Sequence, residues 1–104
     1  MALAHNEQID QLFTAILSLE NLEECYQYFE DLFTIKEILT FAQRQEVAGM
    51  LANGQSYQQT IAETGASSAT ISRVNRSLNY GNDGYDMVFE RVPQLPFDVT
   101  SEDK

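Results

Sequence analysis

Tryptophan is absent from this chain of 104 residues, and cysteine and histidine occur once each, as Cys25 and His5. A single cysteine excludes an intramolecular disulfide. Cys25 lies on the apolar side of a helical pattern between Leu22 and Phe29, so a buried structural thiol is expected. With His5 the lone imidazole, placed in the N-terminal end before the first helix, no Ser-His-Asp or Cys-His arrangement is expected. The expectation is a protein that is not an enzyme. Glu20, Glu23 and Glu24 cluster at a helix start, where carboxylates favour the helix dipole, and read as a solvated face. Asn82-Asp83-Gly84 with Asp86 begins like a calcium loop but lacks the later bidentate glutamate, and reads as a turn. No metal and no cofactor is expected.

Positive charge is scarce. Six Lys and Arg stand against sixteen Asp and Glu, a net charge of −10. That balance opposes nucleic-acid binding in bulk, because phosphate neutralisation needs cations. The distribution is uneven, however. Residues 1–56 carry a net −7 and residues 81–104 a net −4, whereas residues 57–80 hold Glu63 against Arg73 and Arg76, a net +1. Long apolar runs are missing too: no segment approaches the roughly 20 residues that span a bilayer, and no basic segment precedes an apolar one near the start. A cytoplasmic protein without membrane contact is expected.

What is present is helical periodicity. Ile9, Leu12, Phe13, Ile16 and Leu17 share one face of a helix over 7–19. Asn21 with Glu24 is spaced as a capping box opening a helix striped by Leu22, Cys25, Tyr26, Phe29 and Leu32. Thr34 with Glu37 repeats the device and starts a longer helix through Ile38, Leu39, Ala42, Val47, Met50 and Leu51, ending at Asn53-Gly54. Shorter helices follow at 57–63 and at 68–78 with Ser67 as N-cap, then a loop from Asn79 to Gly84. A last helix over 84–92 presents Tyr85, Val88, Phe89 and Val92, and Pro93 stops it. Residues 1–92 are expected as one helical domain, and 93–104 as an acidic, proline-containing tail without fixed structure.

The segment Gln58 to Val74 is the informative one. Two short helices joined by a glycine-containing turn match the DNA-binding helix-turn-helix, here at 57–78, whose second helix enters the major groove. Gly65 permits the positive φ of the turn. Ile61 and Ala66 are expected to pack the helices together, with Ile71, Val74 and Leu78 on the inner face. Ser67, Ser68, Ala69, Thr70, Ser72, Arg73 and Arg76 are the candidate DNA-binding residues: small side chains let the helix approach base edges, while hydroxyls and arginines reach bases and phosphates. Tyr57 and Tyr80, at the edges of the motif, are expected to pack, with backbone phosphate as the other option.

Gly65-Ala66-x-x-Ala69-Thr70-Ile71-Ser72-Arg73, continued by Ser77-Leu78, resembles the recognition-helix motif of the tryptophan repressor superfamily. Gln11-Leu12-Phe13, Ala15 to Leu19, Glu23-Glu24-Cys25-Tyr26, Ala42-Gln43-Arg44 and Leu78 to Asp83 resemble the small branch of it known as YerC/YecD, over about residues 8–92. The resemblance implies an all-α, six-helix fold in an intertwined homodimer, with the first helices of each subunit wrapping the other. It implies a transcriptional regulator, a repressor, whose partners are double-stranded DNA, a second copy and an unidentified small-molecule effector or none.

In the tryptophan-responsive member two arginines, a threonine and a small residue after the second arginine form the corepressor pocket. By motif position these fall on Arg44, Arg73, Thr34 and Val74, with Ser77 nearby. Val74 replaces the family glycine, and its branched side chain occupies space an indole ring needs. The segment between Gly54 and Gly65 is also one residue shorter than in the repressor. DNA binding without tryptophan is the expectation. The competing reading is an acidic protein-interaction module of the same fold that does not bind DNA.

Overall fold

The computed structural model describes residues 3–93 and residue 95. Its order is α1 (Glu7–Leu17), α2 (Leu22–Leu32), α3 (Ile35–Ala52), α4 (Tyr57–Thr64), α5 (Ser68–Tyr80) and α6 (Gly84–Arg91), with no strand among the described residues. Pro96 and the acidic end, expected to lack fixed structure, lie outside the described residues.

Side chains start most of these helices. The Asn6 side chain accepts from the Ile9 amide at 2.8 Å and the Asn21 side chain from the Glu24 amide at 2.9 Å. The Glu24 carboxylate reaches past the cap to the Glu20 amide, one residue beyond the reciprocal partner a capping box uses. Thr34 and Glu37 form a complete box, and Ser56 and Gln59 form another at the start of α4. At α6 the N-cap Asp83 sits at φ 62° with no side-chain cap bond.

The chain divides into two compact units, Met1–Thr40 and Phe41–Lys104. In the first, no described residue is buried. Leu17 is 84% exposed and Leu22 77% exposed, and Tyr26 and Ile35 are open to solvent as well. Cys25, expected to be buried, is only half-buried. The physical reason is that a pair of eleven-residue amphipathic helices offers too little apolar area to enclose a side chain.

The second unit has an interior. Val47 and Ala48 of α3, Ala66 of the turn, and Ile71 and Val74 of α5 form its core, flanked by half-buried Leu51, Leu78, Tyr85 and Phe89. Fully burying a side chain such as Ile71 or Val74 contributes about 1.5–3 kcal/mol. Thr60, not Ile61, is the enclosed residue of α4; Ile61 remains 37% exposed. Thr60 tolerates this position because its hydroxyl donates to the Ser56 carbonyl at 2.8 Å, leaving no polar atom unmatched.

Helix α5 runs two residues beyond the expected 68–78. The Asn79 side chain, expected in a loop, donates to the Asn75 carbonyl at 3.0 Å, and the Gly81 amide closes the last turn on the Ser77 carbonyl at 3.0 Å. The helix stops at Gly81 instead, with φ −86° and ψ −149°.

Candidate nucleic-acid interface

The second unit presents α4 and α5 as two helices joined by Gly65-Ala66-Ser67. Gly65 caps α4 at φ 73°, a left-handed conformation that costs a residue with a Cβ about 1–2 kcal/mol. Its amide closes on the Ile61 carbonyl at 2.9 Å. The next amide, that of Ala66, donates to the Thr64 hydroxyl at 3.1 Å, which in turn donates to the Thr60 carbonyl at 2.7 Å. The Thr64 carbonyl accepts from the Gln43 side chain of α3 at 3.3 Å. The turn is therefore tied both to its own helix and to the element beneath it.

Along α5, Ile71 and Val74 are 0% and 1% exposed, and Leu78 extends their side of the helix. Ser68, Ala69, Ser72, Arg73 and Arg76 all lie exposed. Among the described residues neither arginine has a hydrogen-bond or ion-pair partner, so these residues leave the donor fork of each guanidinium for another acceptor. Ser67 and Thr70 are committed differently. The Ser67 hydroxyl accepts from the Thr70 amide and donates to the Thr70 hydroxyl, both at 3.1 Å, and Thr70 is half-buried. They set the helix start, and the amides of Ser68 and Ala69 remain there with the positive end of the helix dipole.

The candidate effector residues lie apart from one another in role. Thr34 caps α3 in the first unit, engaged with Glu37. In the second unit, half-buried Arg44 lies over the Phe41 ring at 5.9 Å, whereas Arg73 and Ser77 are exposed. Val74, expected to stand in place of the family glycine, is packed into the core. A shallow depression in the first unit is lined by Leu19, Glu24, Gln27, Tyr28 and Asp31, none of them candidate effector residues. Among the described residues no group of three or more His, Cys, Asp or Glu stands together as a metal centre requires. No helix there is long and apolar enough to cross a membrane.

Tyr57 is 42% exposed and Tyr80 83% exposed, which replaces the expectation that both pack. With α5 extending to Tyr80, that residue follows Arg76 by four on one helical face, which accounts for its exposure.

The family profile of the Trp repressor protein matches residues 7–93. YerC of Bacillus subtilis (strain 168), described as uncharacterized, is 55% identical over 96 residues, covering 92% of each chain. A crystal structure from Staphylococcus aureus, assigned as a candidate Trp repressor, superposes with a TM-score of 0.84 at 52% identity, covering 86% of this chain and 89% of that one. A TrpR-like protein from Eubacterium eligens ATCC 27750 superposes with a TM-score of 0.82 at 61% identity, covering 85% and 91%.

Proposed function

Because the chain belongs to the Trp repressor family, we propose that it is a sequence-specific DNA-binding transcriptional regulator, a repressor of the cytoplasm, acting as a homodimer and without tryptophan. One observation carries the reading: α5 buries Ile71 and Val74 while Ser68, Ala69, Ser72, Arg73 and Arg76 stand exposed, the arginines free of protein partners among the described residues. Small side chains on the exposed side admit the rod to a groove, and the arginines supply base or phosphate contacts. Ser67 and Thr70 hold the helix start that meets the duplex.

The homodimer is supported by the unburied first unit. Leu17, Leu22 and Ile35 leave apolar surface in water that a second copy removes, at about 25 cal/mol per Å². A two-fold pair would set its recognition helices about 34–36 Å apart, one turn of duplex, on a near-palindromic site. Independence from tryptophan is supported by Val74, which fills with its own branched side chain a place where the corepressor-responsive protein has none.

The test is fluorescence anisotropy with duplexes recovered by genome-wide footprinting. Affinity for the recovered site is expected to exceed that for unrelated duplex and to fall with salt. Duplex binding no better than that of an acidic control protein would instead favour a protein-interaction module that uses the excess negative charge.

A further inference from the structure

Tyr80 is the last residue of α5 and among the most exposed large side chains of the protein, at 83%. No described residue bonds to its hydroxyl. Its direction follows from helical geometry. At about 100° per residue, Ala69, Arg73, Arg76 and Tyr80 form one column at spacings of four, three and four, opposite the buried Ile71 and Val74. The tyrosine thus belongs to the outward side of the recognition helix, and the core gains nothing from it.

The end of the helix keeps that column clear. The Gly81 amide still bonds the Ser77 carbonyl, but a Cβ on Gly81 would run into the Ser77 backbone carbonyl. Only glycine lets the chain leave at this point, and Tyr80 is left as the tip of the rod.

Resting on the DNA-binding reading above, we propose that Tyr80 is a backbone contact whose hydroxyl donates to a phosphate and sets the angle at which α5 lies in the groove. Helices of this kind bring their N-terminal residues to the base edges. Tyr80 follows Ala69 by about 16 Å along the axis, more than the major-groove width of about 12 Å, which brings it to the sugar-phosphate rim. A phenol there is a neutral donor. It adds affinity without neutralising phosphate charge, and it carries no base preference because every phosphate is alike.

The test compares wild type, Tyr80→Phe and Arg76→Ala on the footprinted duplex and on an unrelated duplex across a salt series. Tyr80→Phe is expected to weaken both duplexes by the same factor, about 2–10-fold per subunit. The slope of log affinity against log salt stays at the wild-type value, and so does the melting temperature. Arg76→Ala reduces that slope by about one per subunit. Tyr80→Phe binding both duplexes like wild type, while Arg76→Ala still weakens them, overturns this inference and leaves the DNA reading standing. A changed preference between the duplexes makes Tyr80 a base reader and overturns the positioning role. Raised dimer dissociation in Tyr80→Phe places the side chain at a subunit contact and also overturns it. Wild type without salt-dependent duplex binding removes both readings together.

Discussion

The side-chain amide of Gln43 donates to the backbone carbonyl of Thr64 at 3.3 Å, joining α3 to the end of α4 across 21 residues of chain. A carbonyl in the last turn of a helix has no partner within the helix, so this bond satisfies an orphan acceptor and anchors the turn at the same time. Gln43→Leu keeps the volume and removes the donor. It is expected to cost about 1 kcal/mol, and a thermal melt should register a fall of roughly 4–8 °C. An unchanged melt would mean that water replaces the amide without loss.

Gly65 tests the backbone rather than contacts. A Cβ added there meets nothing within 4 Å, yet φ is +73°. Gly65→Ala should therefore lose about 1–2 kcal/mol from conformation alone. Chemical denaturation is the measurement, with duplex affinity of the folded variant retained in cool buffer. A neutral result would show that the turn relaxes to another conformation.

Val74 decides between packing and ligand space. Val74→Gly removes a side chain that is 1% exposed and places glycine inside a helix, for an expected loss of about 3 kcal/mol. Calorimetric titration of wild type with tryptophan should give no heat at micromolar concentrations. Micromolar binding by the wild-type protein would contradict the tryptophan-independent reading outright.

Leu17 separates the monomer from the proposed pair. On an isolated subunit, a residue 84% exposed can be exchanged within about 0.5 kcal/mol. Covered by a second copy, Leu17→Asp would bury a carboxylate at each of two symmetric sites, raising the dissociation constant about 100-fold if each site loses about 1.4 kcal/mol. Sedimentation equilibrium reads this directly, and an unaltered constant removes Leu17 from the interface.

Arg76 reports on the phosphates. With Arg73 and Arg76 from each subunit in contact, the slope of log affinity against log salt is expected to be about −3 to −4, a low value fitting so acidic a chain. Arg76→Ala should bring it nearer zero by about two for a dimer. A slope that the substitution does not alter would put this arginine away from the backbone.

Much of this was readable from local patterns. Asn21 before Glu24, Thr34 before Glu37 and Ser67 before Thr70 mark helix starts because a short polar side chain can bond an amide two or three residues ahead without help from the rest of the fold. The positive φ at Gly65 was legible for the same reason: glycine is the residue to which that conformation costs least. Errors arose where the decision was not local. Hydrophobicity ranks Ile61 first for the interior, whereas Thr60 is the enclosed residue and its hydroxyl is satisfied by the Ser56 carbonyl. Asn79 is a loop residue by type, yet its side chain bonds back to the Asn75 carbonyl within the prolonged helix.

Composition and spacing by themselves determined the six helices, the turn between α4 and α5, the inner stripe of Ile71 and Val74, and the near-neutral window within an acidic chain. Each depends on interactions spanning only a few residues or on simple charge counting. Tertiary structure alone decided that the described residues of the first unit enclose no side chain while the second unit closes a core around Val47 and Val74. It also decided that Gln43 ties down the turn and that α5 reaches Tyr80 at an exposed tip. Those outcomes depend on how faces far apart in sequence meet and how much water they exclude, quantities that no stretch of residues carries within itself.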